Sequence, residues 1–299
     1  VLGRLDASSL LGGDLPIDYA RAEAAIAEKV GAPLGLGVEE AAAAIIAVVN
    51  NAMAEALRIV SVERGHDARE FALICFGGAG PLHASALAEE LEIAQVVVPP
   101  IPGAFSALGL VGSDIRRDYG RTFFTPLDEA DPEAVEAGYR DLESQAREML
   151  GRTSVPPENW ELERSADLRY LRQAYELTVE APAKIDGFHA RHETTYGHAN
   201  PSERVQIVTL RLRATAKLPA LELAQRVTAT DGDALKGNRS VWFKDGGRLE
   251  CRVLDRDRMA AGSDLMGPTI IESLDSTIVV PPGWSARLDD KGFITMGRV

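Results

Sequence analysis

The chain has 299 residues, which is enough for two domains of ordinary size. Hydrophobic residues make up 45% of it and charged residues 26%, a balance that excludes wholesale disorder. The formal net charge of −13 argues against nucleic acid or an anionic membrane as the main partner.

The two cysteines, Cys75 and Cys251, lie far apart, and neither belongs to a Cys-x-x-Cys pair. This excludes a disulfide scaffold and a thiolate zinc site. The pattern favours a reducing compartment, so we expect a cytoplasmic protein.

The strongest helical pattern covers residues Val38 to Glu63, which contain no glycine or proline. Glu39 and Glu40 lie in the first turn, where the helix dipole favours acidic side chains. Apolar residues recur at three- and four-residue steps, and we expect this edge to be packed in the core: Ile45, Val49, Met53, Leu57 and Val60. The longest uninterrupted aliphatic run, 41–49, has nine residues, whereas a membrane span needs about 20. The sequence therefore predicts no membrane-spanning helix.

A strand, turn, helix and strand follow within about 30 residues, as in a βαβ unit. Residues 71–76 form an apolar run of strand length, and a glycine-rich turn begins at Gly77. Residues 82–91 have helical composition, and 95–98 form a second apolar run before two prolines. The order predicts a parallel sheet covered by helices, and so an α/β fold.

The second half of the chain has a different composition. A polar helix is predicted for 131–150, and beyond it short apolar runs alternate with Gly, Pro and Asp turns. Residues 205–216 show the period-two alternation of a strand with one solvent-facing side. The sequence thus predicts two domains, 1–152 and a β-rich domain over 153–299.

The turn Gly77-Gly78-Ala79-Gly80 is the most informative local motif. Glycines between a strand and a helix let the backbone approach a ligand, and the helix start offers unpaired N–H groups that suit phosphate. The turn is neither a Gly-x-Gly-x-x-Gly fingerprint nor a P-loop. From these residues alone, a ligand-contacting turn and a tight turn with no ligand stand as alternatives.

Four other residues have a chemical and a structural interpretation. Ser106 is not in a Gly-x-Ser-x-Gly nucleophile elbow, so a serine in a packing loop is the better interpretation. Cys75 and Cys251 both lie in apolar runs and are interpreted as small buried hydrophobes. His83 follows the glycine-rich turn and could contact a ligand or cap a helix.

Three of the five histidines, His189, His192 and His198, lie close together in the sequence. Their spacing could supply metal ligands, but Tyr196 occupies the position that would complete His-Glu-x-x-His. We therefore expect no metal site here and favour a polar loop or an interface over residues 189–198.

Several long strings resemble the hydantoinase/oxoprolinase family, in its A-type subunit. They are VERGHD (62–67), FALICFGGAGPLHA (71–84), VVVPPIPGAFSALGL (96–110), DLRYLRQAYELTV (167–179), YGHANP (196–201) and GPTIIESLDSTIVVPPGW (267–284). The resemblance extends over essentially the whole chain. One departure is visible, because Arg172 stands before Gln173 where the family usually has glycine.

The resemblance implies part of an actin-like ATPase lobe of the sugar kinase and heat-shock class, followed by the β-rich domain. In that fold the glycine-rich turn contacts adenosine, which favours Gly77, Gly78, Ala79 and Gly80 as nucleotide-contacting positions. No Asp-x-Gly-x-Thr phosphate turn occurs in the 299 residues, so the chain is expected to be a C-terminal fragment. ATP with Mg²⁺ is implied for the full-length protein, while the catalytic residues stay unassigned.

The family resemblance further implies an ATP-dependent hydrolase that opens a cyclic amide, such as a hydantoin or 5-oxoproline, after ATP-driven activation of the amide. An ATP-dependent ketone carboxylase subunit is the alternative within the family. A third possibility is that the isolated chain is a non-catalytic module for subunit docking. We expect a B-type subunit as partner and an oligomeric assembly.

Overall fold

The structure, a computed structural model, describes residues 1–8, 13–182, 185–221 and 233–299. Its helices of seven or more residues are α1 (Tyr19–Ile26), α2 (Val38–Val60), α3 (Gly80–Glu90), α4 (Phe105–Val111), α5 (Pro132–Leu150) and α6 (Ile185–Tyr196). Its strands are β1 (Ala72–Ile74), β2 (Gln95–Val98), β3 (Ile115–Pro126), β4 (Trp160–Tyr170), β5 (Leu177–Glu180), β6 (Val205–Ala216), β7 (Leu235–Phe243), β8 (Gly247–Asp255), β9 (Asp264–Met266), β10 (Thr269–Glu272), β11 (Thr277–Val280), β12 (Trp284–Leu288) and β13 (Ile294–Arg298). The α/β class is confirmed.

Contacts divide the chain into two compact units, one formed by residues 1–110 with 222–299 and the other by residues 111–221. The boundary predicted between residues 152 and 153 falls inside the second unit. The shift in composition at that point is real, but α5 packs on the sheet that contains β4 and β6, so the helix and the strands after it form one core. The last strands of the chain return to the first unit.

The first unit contains a mixed sheet in the order β1-β2-β13-β12-β9. Strands β1 and β2 are parallel and joined through α3, which confirms the predicted βαβ unit. Strand β13 then pairs antiparallel with β2, so the C-terminal residues complete a sheet that begins near residue 72. Among the described strands β1 is an edge, and Phe71, Ile74 and Phe76 are exposed, which differs from the buried strand that the apolar run predicts.

A second sheet of the same unit has the order β11-β10-β8-β7. The core lies between this sheet, the first sheet and helices α2 and α3. Its largest fully buried side chains include Trp284, Ile271, Ile278, Ile294 and Met296. The Trp284 indole Nε1 donates a hydrogen bond to Glu89 Oε1 on α3 at 2.9 Å, which satisfies its polar group inside this core. This bond links β12 of the first sheet to the helix that begins at the glycine-rich turn.

Helix α2 begins as predicted at Val38, and the Gly37 N–H donates to Glu40 Oε2 at 3.0 Å. The predicted packed edge is only partly correct. Met53 and Leu57 contact the core, whereas Ile45, Val49 and Val60 are 37, 41 and 53% exposed. The fully buried positions are alanines such as Ala41 and Ala54, because a small side chain lets α3 and the neighbouring segments approach the helix closely.

The same helix bears on the prediction that no helix spans a membrane. The helical stretch Val38–Arg64 is long and apolar enough to cross a membrane by length and composition, with a mean hydropathy of 1.5. One such helix is weak evidence for a span. Only 6% of its most apolar 18-residue stretch is buried, so α2 presents a large apolar surface. Surfaces of this kind usually mark contacts with a partner.

The second unit is a four-stranded antiparallel sheet in the order β3-β6-β4-β5. Strand β6 alternates as predicted over its second half, where Leu210 and Leu212 are buried while Arg211 and Arg213 face solvent. Helix α5, capped by the Asp131 side chain, covers the apolar side. Arg172 has a φ of 75°, so it keeps the left-handed backbone that favours the usual glycine of the family.

Candidate functional site

The glycine-rich turn lies at the carboxyl end of β1, in the first unit, and leads directly into α3. Gly77 has a φ of 82°, a backbone conformation that L side chains rarely adopt. Its N–H donates to the Pro102 carbonyl at 2.7 Å, which joins the turn to the segment after β2. Because β1 and β2 are parallel, their carboxyl ends meet at one edge of the sheet, and this edge is where open α/β sheets place their ligands.

A hairpin loop of residues 273–276, between β10 and β11, reaches the same place. The Asp275 carboxylate Oδ2 accepts the Gly103 N–H at 2.7 Å, and the Asp275 carbonyl would lie 3.2 Å from a Cβ placed on Gly78. The Ser273 N–H donates to the Ser276 carbonyl at 2.9 Å and closes the hairpin. Three backbone segments that are distant in the sequence thus meet at the turn.

These segments border an open cavity of about 530 Å³. Its described lining is Leu5, Asp6, Gly78, Ala79, Leu82, Lys236, Asp255, Asp257, Glu272, Ser273, Leu274, Asp275, Ser276 and Thr277. Of the four predicted site residues, Gly78 and Ala79 line the cavity, whereas Gly77 and Gly80 shape the turn behind it. Such a volume is typical of a site for a small organic ligand.

The charge of the lining is strongly acidic. Five carboxylates face one basic residue, Lys236, among the described lining residues. The Lys236 ammonium is already paired with Glu272 Oε2 at 2.5 Å, and Arg239 binds the other oxygen of that carboxylate at 2.8 Å. The nearly buried Glu272 is therefore neutralised by two cations, and Lys236 is not available as a separate anion-binding group.

This arrangement suits an uncharged polar ligand better than a phosphate. Carboxylates only accept hydrogen bonds when ionised, so they bind hydroxyl and amino groups and repel phosphate oxygens. The exposed Gly78 and Ala79 backbone would allow a flat ring to approach closely. The cavity can thus hold a nucleoside by its sugar hydroxyls and base, while anionic groups would have to point away from it.

His83 lies on another side of α3 and does not line this cavity. Its Nδ1 is 2.7 Å from Asn50 Oδ1 on α2, and it borders a separate apolar cavity of about 330 Å³. Burial and the nearby Arg4 guanidinium both lower the pKa of His83, which keeps the ring neutral. The predicted helix cap is wrong for His83, because its ring contacts Asn50 on α2 instead, and the cavity that it borders is separate from the one beside the glycine-rich turn.

The interpretation of the cysteines as buried hydrophobes is confirmed. Both are free and buried, and burial raises the pKa of Cys75 to about 12 and that of Cys251 to about 11. Neither thiol is a thiolate at neutral pH. Ser106 lies exposed on α4 and not in the predicted packing loop. No His, Asp or Glu side chain of the described residues hydrogen-bonds to it, so it lacks the base that a nucleophile needs.

The three clustered histidines lie on or just after α6, in the second unit. His192 is fully buried, with Nδ1 2.6 Å from the His198 carbonyl and Nε2 2.9 Å from the Gln173 amide. His189 Nδ1 is 2.8 Å from the Tyr170 hydroxyl. Within the described ranges, no three His, Cys, Asp or Glu side chains form a group that could hold a metal ion. The prediction of a polar loop is wrong for residues 189–196, because they lie on α6 and His192 is buried. The use of the cluster as an interface stays a prediction.

Sequence reasoning missed the hairpin loop 273–276 and the pair of Lys236 with Glu272. A signal for the loop exists, because Asp275 and two serines interrupt two apolar strands in the string ESLDST. No local pattern could place that loop beside Gly78, since nearly 200 residues separate them.

Comparison with known proteins matches residues 1–119 and 128–299 of the chain to models of one family. Residues 1–119 match the family described as Hydantoinase/oxoprolinase, and residues 128–299 match the Hydantoinase/oxoprolinase C-terminal domain. An uncharacterized protein of Methanocaldococcus jannaschii is 37% identical over 100% of this chain and 43% of its own length. The caprolactamase subunit alpha of Pseudomonas jessenii is 34% identical over 96% of the chain and 44% of its own length.

Two solved structures share the fold. A nucleotide-free acetone carboxylase, from a study of ATP-dependent acetone carboxylation, superposes with a TM-score of 0.83 at 24% identity, over 100% of this chain and 45% of its own. The crystal structure of the ATP-dependent caprolactamase from P. jessenii gives a TM-score of 0.71 at 34% identity, over 99% of this chain and 45% of its own. The chain therefore spans less than half the length of these relatives.

Proposed function

Because this chain belongs to the hydantoinase/oxoprolinase family, we propose that it forms the nucleoside-binding part of an ATP-dependent enzyme that opens a cyclic amide. Both solved relatives are described as ATP-dependent. The observation that carries the proposal is the acidic cavity against Gly78 and Ala79, whose single basic residue is already paired. A cyclic amide is the substrate class of the caprolactamase, which is 34% identical to this chain.

In the complete protein ATP would supply the phosphoryl group that turns an unreactive amide oxygen into a leaving group. The residues of this chain have a different task. We assign the nucleoside to the space between the glycine-rich turn and the backbone of the hairpin loop. Lining carboxylates other than Glu272 and Asp275 would accept hydrogen bonds from its hydroxyl and amino groups. Their negative charge directs the phosphates out of the cavity. Phosphoryl transfer depends mainly on positioning and on stabilising charge, so holding the nucleoside in a fixed place contributes directly.

Magnesium has no assigned ligands in this part of the protein. No group of three His, Cys, Asp or Glu side chains that could hold a metal ion occurs within the described ranges. The acidic lining also leaves no cation to share the phosphates. The Asp-x-Gly-x-Thr phosphate turns of the actin-like fold do not occur in the 299 residues, and we propose that such turns elsewhere in the complete protein hold the phosphates and Mg²⁺.

A second candidate is a subunit of an ATP-dependent ketone carboxylase. This chain shares its fold with an acetone carboxylase described as ATP-dependent, which makes a carboxylase the alternative. Both reactions would use the same nucleoside site, so the cavity does not separate them. The caprolactamase relative is itself named as a subunit, and we propose a B-type subunit as partner, an oligomeric assembly and a cytoplasmic location for this protein.

The proposal predicts that the purified chain does not turn over ATP, because the groups that stabilise the transferred phosphoryl group lie elsewhere. Phosphate release should equal that of a buffer control. The complete protein with its partner subunit should release phosphate when given a hydantoin, 5-oxoproline or caprolactam. Phosphate release by the chain alone that disappears in Gly78→Val would contradict the proposal that the groups for phosphoryl transfer lie elsewhere in the complete protein. Turnover by the complete protein only with acetone and bicarbonate would favour the carboxylase instead.

A further inference from the structure

We propose that Asp275 is a positioning residue that fixes the geometry of the nucleoside cavity without touching the nucleoside. This inference rests on the proposed function of the cavity and goes beyond it, because it assigns a role to one side chain of the hairpin loop. The loop belongs to β10 and β11, whereas the turns that it contacts follow β1 and β2.

The Asp275 carboxylate has both oxygens engaged. Oδ2 accepts the Gly103 N–H at 2.7 Å, and Oδ1 accepts the Ser273 hydroxyl at 2.9 Å. Ser273 Oγ also lies 3.0 Å from Ser276 Oγ, at the far end of the same loop. A carboxylate occupied in this way orients its own loop and the segment after β2 at once.

The backbone around Asp275 is closely fitted to two glycines. A Cβ on Gly103 would lie 2.7 Å from Asp275 Cβ, a distance that real atoms essentially never show. A Cβ on Gly78 would lie 3.2 Å from the Asp275 carbonyl oxygen. Gly103 does not have a positive φ, so close approach rather than backbone conformation requires glycine there.

A series of hydrogen bonds connects Asp275 to the residues that line the cavity. Asp275 holds Gly103, and the neighbouring Pro102 carbonyl accepts the Gly77 N–H at 2.7 Å. Gly77 immediately precedes Gly78, which lines the cavity. Without the carboxylate, the hairpin loop and the segment after β2 would lose their direct link. The distance between Gly78 and the hairpin loop would then vary, and part of the binding free energy of a ligand would be lost in ordering the loop.

The experiment compares Asp275→Ala with Asp275→Asn in the purified chain. Asparagine keeps an oxygen for the Gly103 N–H and an amide that can donate to Ser273, whereas alanine removes both links. Adenosine and ADP binding are measured by calorimetry, and amide exchange is measured for residues 76–82 and 99–106. The matched control is Asp290→Ala, since Asp290 is an exposed aspartate in the turn between β12 and β13.

We expect Asp275→Ala to weaken adenosine binding about tenfold, because the ligand must then order the hairpin loop and the segment after β2 itself. Exchange at 76–82 and 99–106 should become faster without ligand, and Asp275→Asn should restore both quantities. Gly103→Ala should act in the same direction, because its methyl group would displace the carboxylate.

Wild-type affinity in Asp275→Ala would overturn the inference and leave the proposed function intact. Asparagine as weak as alanine, with wild-type exchange, would also overturn it, because the charge would then act on the ligand directly. If the wild-type chain binds neither adenosine nor ADP, the proposed function fails. In that case amide exchange still tests whether Asp275 holds the hairpin loop to the segment after β2. Unchanged exchange in Asp275→Ala overturns this role of Asp275.

Discussion

Ala54→Asp should lower the free energy of unfolding by about 3 kcal/mol or more, because it buries a carboxylate with no partner. Ala54 is fully buried on the side of α2 that faces the core of the first unit, beside Met53 and Leu57. An alanine at this place leaves no room for two oxygens or for the water that would solvate them. Chemical denaturation of the purified chain gives the difference directly.

Val49→Asp is the matched control on the same helix. Val49 is 41% exposed, so the new carboxylate stays in water and the change should lie within about 0.5 kcal/mol. The sequence pattern alone predicts the opposite for Val49, because it belongs to the apolar stripe. A strong loss of stability in Val49→Asp, or none in Ala54→Asp, would show that α2 packs by the other side.

Local patterns were enough to predict several elements of this chain, although not β3, and they did not predict which faces the elements bury. The helix beginning at Val38 and the unit of β1, α3 and β2 follow from periodicity and turn residues, and the structure has them where expected. Burial depends on what lies opposite. The apolar stripe of α2 is wider than the surface that contacts the core. The stripe alone therefore does not show that Ala54 is buried and Val49 is exposed.

Long-range pairing explains the remaining differences. Strand β13 pairs with β2, and β10 pairs in parallel with β8. No turn or spacing in the sequence predicts either pairing. For the same reason the units differ from the boundary predicted at residue 152. At the site, the glycine-rich turn could be singled out from its residue types, whereas Lys236, Glu272 and Asp275 gain their roles only when separate strands bring them together.

Gly78→Val should weaken adenosine binding by tenfold or more while the chain stays folded. A Cβ at this position already lies 3.2 Å from the Asp275 carbonyl, so the two methyl groups of valine must turn toward the cavity. They would occupy the space beside Ala79 that the proposed ligand needs. A tenfold change corresponds to about 1.4 kcal/mol of binding free energy. Calorimetry and a thermal melt on the same sample separate occlusion from unfolding.

Two control variants make this result interpretable. Gly187→Val introduces the same side chain on α6, where nothing lies within 4 Å of a Cβ, and should leave binding unchanged. Gly77→Ala strains the backbone at its φ of 82° without filling the cavity. If Gly78→Val does not fold, Gly78→Ala takes its place. A folded Gly78→Val with unchanged affinity would remove Gly78 from the site.

The most direct test of a nucleoside cavity is a titration of the wild-type chain with adenosine, ATP and inorganic phosphate under the same conditions. The acidic lining and the paired Lys236 predict that adenosine binds, that ATP binds no more than a few-fold differently, and that phosphate does not bind or compete. Binding of ATP and phosphate without binding of adenosine would contradict the account, because the cavity would then recognise the charge that its carboxylates should repel.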